Sequence, residues 1–77
     1  MSSGYSIRIL EAIKQADARK PGVRLGLLCV HNEVPAAVVA KALGVSRTTV
    51  YNWFSGAGNP SSQVLPLVER YIANLSK

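Results

Sequence analysis

Residues 36–53 read AAVVAKALGVSRTTVYNW, and the fold turns on this stretch. Its logic is steric. Two short helices joined by a tight turn meet at a steep angle, so a small side chain is needed where they approach, and Ala40 supplies it. The turn needs a residue that accepts positive φ, and Gly44 supplies that. Val39, Leu43, Val45, Val50 and Trp53 are apolar at the spacing that locks the second helix onto the first and onto a core. Ser46 reads as the N-cap of the second helix, which reaches Phe54. Left outward on that helix are Arg47, Thr48, Thr49, Tyr51, Asn52 and Ser55. All are polar or polar-tipped, and several are common partners for base edges and phosphates. Trp53 reads as core. Phe54 divides between core and base stacking, while Tyr51, outward by phase, is placed to reach a phosphate or a thymine methyl.

Outward from this centre the chain stays helical. Upstream, Ile9, Ala12, Ile13 and Ala16 recur at helical spacing and Leu10 widens the stripe, predicting a helix over Tyr5–Ala18. Ser6 is its candidate cap, and Pro21-Gly22 its stop signal. A short helix over Val23–Asn32 follows, with Leu25, Leu28, Cys29 and Val30 inward. Gly26 weakens it by roughly 1 kcal/mol relative to Ala, so packing must hold it. The next helix begins near Pro35, a proline at the first helical position, and ends at Gly44. Downstream, Ser55–Pro60 is a loop by composition. A last helix is expected from Ser61 or Ser62 to Leu75, with Pro66 tolerable only in its first turn. Residues 1–4 read as a flexible end and 5–77 as one all-α domain, a bundle of about five short helices. There is no internal repeat and no convincing strand.

Composition narrows the function classes. At 77 residues the chain is marginal for an enzyme that needs both a core and a pocket, but ample for a binding module. Hydrophobic residues at 48% and charged residues at 17% fit a folded domain rather than a disordered tail. No apolar run approaches the ~20 residues that span a bilayer. The single cysteine excludes an intrachain disulfide framework and points to a reducing compartment. A net charge of +5 suits a phosphate-bearing partner, although the same charge also keeps a small protein soluble. Cys29 sits on an apolar stripe as a small core hydrophobe, and His31 reads as a surface residue at a helix end. Neither belongs to a set with metal-ligand spacing. No Ser, His and Asp group or paired carboxylates suggest catalysis, so neither a cofactor nor a small-molecule substrate is expected.

The segment resembles the helix-turn-helix of the Cro/lambda-repressor-like (XRE-type) transcriptional regulators. The likeness continues through Trp53, Gly56, Pro60 and Ser61, where that family carries a Trp-x-x-Gly-x-x-x-Pro-Ser sequence, and reaches back to Gly22-Val23-Arg24-Leu25. It covers about residues 22–72. The chain departs from the pattern in three ways. Ala36 stands where the family has a polar residue, often Gln; Pro35 replaces a capping Ser or Thr; and the additional helix precedes residue 22 instead of following the fourth family helix. The Tyr5–Ala18 segment is expected to cover the surface that the later helix covers in relatives.

The resemblance implies a lambda-repressor-like fold, with the second helix of the motif in the major groove of double-stranded DNA. Arg47, Thr48, Tyr51 and Asn52 would face base edges. Ser46, Thr49, Ser55, Gly56, Asn59, Ser61 and Lys41 would approach the backbone, with Arg24 and Lys20 as outer charges. It further implies a Cro-like or repressor-type regulator of bacterial or phage origin, cytoplasmic and nucleoid-associated, acting as a homodimer that can form on DNA. Leu67 and Val64 are the first candidates for pairing. Val34, Ala37 and Val38 leave apolar groups on both faces of the third helix, to be explained by burial under the first helix or by a partner. The alternative is an adapter that uses the same fold to engage a host or partner protein.

Overall fold

The computed structural model describes residues 5–76. The expected flexible end, residues 1–4, lies outside the described residues. Five helices follow in chain order: α1 Ile7–Gln15, α2 Pro21–His31, α3 Ala36–Leu43, α4 Arg47–Ser55 and α5 Leu65–Leu75, with no strand among the described residues. The all-α bundle expected from the sequence is the observed architecture.

α2 and α4 make the centre. α2 packs on α1, α4 and α5, and α4 on α1, α2 and α3. Their closest approach depends on two glycines one helical turn apart. A Cβ at Gly22 would fall 2.7 Å from Trp53 Cβ, and one at Gly26 would fall 2.8 Å from Phe54 Cγ. The roughly 1 kcal/mol of helix propensity lost at Gly26 is thus offset by close packing against an aromatic ring. Around this contact Ile13, Val23, Leu25, Cys29, Val39, Val50, Phe54 and Val68 are essentially inaccessible to water. No buried polar side-chain atom among the described residues lacks a partner.

The helix ends explain the angles between elements. α3 ends at Gly44, with φ 71°, as anticipated. The Val45 N–H donates to the Ala40 carbonyl at 2.9 Å and the Gly44 N–H to that of Lys41 at 3.4 Å, the paired bonds of a Schellman ending. α2 closes in the same way. There the Val34 N–H donates to the Cys29 carbonyl at 2.8 Å, and Glu33, not a glycine, takes the left-handed position with φ 57°.

Several boundaries differ from the sequence expectation. α1 spans Ile7–Gln15 instead of Tyr5–Ala18. The chain leaves it at Ala16, and the Asp17 carboxylate accepts the Arg19 N–H at 2.9 Å and its Nε at 3.1 Å, a side-chain bond that favours a turn over helix. Pro21-Gly22 therefore does not stop the first helix but opens the second, where proline at the first position loses no needed bond. Pro35 caps α3 from outside rather than occupying its first helical position. α5 begins at Leu65, after a turn at Ser62–Val64, because Pro66 fits only in the opening turn.

Candidate nucleic-acid interface

α4 is held on three sides by other helices, and its remaining side carries the residues singled out in the sequence. Ser46 caps it: its Oγ accepts the Thr49 N–H at 3.1 Å and lies 2.9 Å from Thr49 Oγ1. These two hydroxyls are therefore partly committed to starting the helix. Arg47, Thr48 and Asn52 are exposed on one face, and Ser55 is half-buried at the end of it. Residues 47, 48, 51, 52 and 55 recur at the spacing that keeps side chains on a common helical side.

The electrostatics of this face are one-signed. The first turn of α4 has no acidic residue, and Arg47 occupies it instead. A cation there opposes the preference of the helix dipole for negative charge, so the location is not explained by helix stability. Between Glu33 and Glu69 the chain has no carboxylate side chain, while Lys41 and Arg47 contribute positive charge, and both are exposed.

At the far end of α4, Gly56 takes the left-handed conformation with φ 81° and is packed close to Ala16 and Val23. The Lys20 ammonium donates to the Gly56 carbonyl at 3.1 Å. Lys20, expected as an outer charge, is half-buried here and stabilises the negative end of α4. The following loop folds back, the Gly58 N–H donating to the Asn52 carbonyl at 3.1 Å, and leaves Asn59 and Ser61 exposed. Arg24 is exposed on α2.

The aromatic residues sort differently from their sequence phases. Trp53 and Phe54 are both buried, so Phe54 packs in the core and is not available to stack on a base. Tyr51 is half-buried because the ring of Tyr5 stands edge-on to it, with centroids 6.4 Å apart and planes at 86°. Tyr5 was not among the residues anticipated near this face. The available signal was an aromatic placed directly before the Ser6 cap, whose Oγ accepts the Ile9 N–H at 3.2 Å. The apolar surplus on α3 is also resolved in part. Ala37 and Val38 are exposed, so α1 does not cover them, while Val34 is half-buried and Ala36 fully so. Ala36 thus holds an interior position that a larger polar group would have to leave.

Cys29 and His31 lie where the sequence placed them, one buried and one exposed. Burial pushes the Cys29 thiol up to about 12, which keeps it protonated and unreactive. Among the described residues there is no cluster of three or more metal-binding side chains, and no helix is long and apolar enough to cross a membrane.

A family model described as helix-turn-helix matches residues 35–73, which takes in α3, α4 and most of α5. No curated protein and no solved structure matches the chain.

Proposed function

The chain belongs to the Cro/lambda-repressor-like (XRE-type) helix-turn-helix family of DNA-binding regulators, and from that premise we propose that it binds duplex DNA sequence-specifically, reading the major groove with α4. The observation that carries this reading is the exposed face of α4, with Arg47 in a first turn where the helix dipole would favour an acid. A guanidinium held there is suited to the O6 and N7 of guanine, the Asn52 amide to adenine, and Thr48 and Tyr51 to a thymine methyl or an adjoining phosphate. Ser46, Thr49, Ser55, Gly56, Asn59, Ser61 and Lys41 surround this set and serve the sugar-phosphate backbone. The absence of carboxylates between Glu33 and Glu69 keeps repulsion of phosphate low across the whole motif.

The family membership supports, as the biological role, a repressor- or Cro-type regulator of bacterial or phage genes, working in the cytoplasm at the nucleoid, without catalysis. One recognition helix reads only a few base pairs, so the protein acts as a two-fold pair with half-sites about one helical turn, roughly 34 Å, apart. Ile7, Leu27, Val38 and Leu67 are the large apolar residues left exposed; of these Leu67, on the last helix beside the half-buried Val64, is the first candidate for pairing, with Val38 on α3 after it. The exposed Val38 and Ala37 also suit a protein partner, which is the adapter reading.

Selection of bound sequences from random duplex DNA tests these assignments together. The selected site should contain an inverted repeat, and affinity for it should fall linearly on a log–log salt plot with a slope near −0.9 per phosphate contacted. Arg47→Ala should weaken the selected site by about 1–3 kcal/mol and relax one base position. No enriched sequence together with a flat salt dependence would favour the adapter. Equal loss on selected and random DNA would reduce Arg47 to a backbone contact.

A further inference from the structure

Tyr5 lies outside the matched helix-turn-helix region, residues 35–73, yet it touches α4 within that region and the turn immediately before it. It is 6% exposed, and its hydroxyl donates to the Val34 carbonyl at 2.6 Å, across a separation of 29 residues. Val34 belongs to the turn that leads into α3. The Tyr5 ring meets two neighbours on α4: Phe54 in the core, at 6.2 Å between centroids with planes tilted 42°, and Tyr51 on the reading side, at 6.4 Å edge-on. Tyr5 therefore sits at the rim between interior and recognition face, fixed at one end by a hydrogen bond and at the other by rings.

Each contact limits a different freedom. The bond to Val34 fixes how far the phenol reaches, and Ser6, by capping α1 immediately afterwards, fixes the direction from which the chain arrives. Burial first, then the nearby Cys29, Tyr51 and Tyr71, push the Tyr5 phenol well above its ordinary range, which favours its protonated, donating form. A tyrosine side chain has two torsions, and an edge-on neighbour of this kind narrows the ring orientations open to it. Tyr51 is therefore the one candidate base contact whose ring packs against a residue from outside the motif.

We infer that Tyr5 is a positioning residue for DNA reading: anchored to the α2–α3 turn, its ring sets the orientation of Tyr51 and, through Tyr51, the base preference at one position of the site. The inference rests on the assignment of α4 as the reading helix, and its test separates the two. In the free protein, the ring protons of Tyr51 should carry the upfield or downfield displacement that an edge-on neighbour produces. Tyr5→Leu should remove it while leaving the helical circular-dichroism spectrum in place. Tyr5→Phe, which keeps the ring and loses only the hydrogen bond, guards against a leucine variant that does not fold; it should blur the displacement by loosening the ring. On DNA, Tyr5→Leu should weaken the selected site about threefold to tenfold, the range expected for one aromatic pair. It should also change the selected base at a single position and leave random DNA unaffected. In a Tyr51→Ala background it should cost nothing further.

Unchanged Tyr51 resonances in both Tyr5 variants would overturn the positioning role without touching the DNA-binding assignment. The same fold-loss on random DNA, or in the Tyr51→Ala background, would show that Tyr5 only supports the fold. Intact positioning in the spectrum with no selectable DNA site for the parent would overturn the assignment of α4 and, with it, the link to base preference.

Discussion

Replacing Gly22 with alanine isolates the contact that sets α2 against α4. The added Cβ would stand 2.7 Å from Trp53 Cβ, 2.8 Å from the Trp53 carbonyl oxygen and 3.0 Å from its carbonyl carbon. Comfortable carbon–carbon contact begins at about 3.5 Å, so the two helices must separate by something near 0.8 Å. Because two of the three atoms are backbone, rotation of a side chain cannot relieve the clash. Overpacking of this kind costs about 1–3 kcal/mol. Against it stands the helix propensity gained on leaving glycine, up to about 1 kcal/mol in a helix interior and less at a second helical position. The net expectation is a loss of about 1–2 kcal/mol, out of a total stability of roughly 4–12 kcal/mol for a chain this size. Thermal unfolding followed by circular dichroism should show Tm lower by roughly 5–15 °C. Gly58→Ala is the control: its Cβ would meet only Asn52 Cβ, at 3.7 Å, and its φ is not positive. It should melt within a few degrees of the parent. A Gly22→Ala variant as stable as the parent or more so would show that the helices have room there, and the close-approach argument would fail.

Other substitutions probe other causes. Glu33→Gly should raise stability by about 1 kcal/mol in urea unfolding, since a non-glycine residue at φ 57° carries left-handed strain; an unchanged midpoint would mean that the strain is relieved locally. Gly44 has open space around it, so Gly44→Val should lose about 1–3 kcal/mol through its φ of 71° alone, and a Tm within a degree or two of the parent would refute that. Cys29 should react with a thiol reagent at neutral pH only as fast as the chain opens. Its folded thiol titrates above the ordinary 9.0, at about 12, so its neutral form favours the folded state. That contribution is intact below 9.0 and should be lost as pH rises toward 12, and a fall in stability that begins well below 9.0 would have to come from another group.

The motif was the most legible part of the chain because its requirements are local. Gly44, Ser46 and the apolar set around them each answer one backbone or packing demand, and spacing alone displays them. The limits of α1 were less legible because Pro21 is ambiguous: a proline can follow one helix or begin the next, and the Asp17–Arg19 bond that decides between them is a matter of side-chain geometry. Gly26 looked like a weakness for the same reason, since its compensation is the ring of Phe54 across a helix interface. The exposed face of α4 was visible as a polar stripe, but the burial of one edge of Tyr51 depends on Tyr5, 46 positions earlier, and no periodicity within α4 carries that information.

On the proposed DNA-reading role, the left-handed endings of α2 and α3 also bear on how freely this protein could change its target. The turns before and after α3 are closed by main-chain bonds, Val34 to Cys29 and Val45 to Ala40, so the pose of α4 does not depend on the identities of the side chains it exposes. Arg47, Thr48 and Asn52 hold nothing else in place. Their codons can drift or be exchanged as a set while the scaffold beneath them stays constant, and with these residues as the proposed base contacts a new operator could be acquired in few steps. Tyr51 is the exception on that face, since a change there is felt by Tyr5, and retargeting would proceed fastest through the three residues that answer to no neighbour.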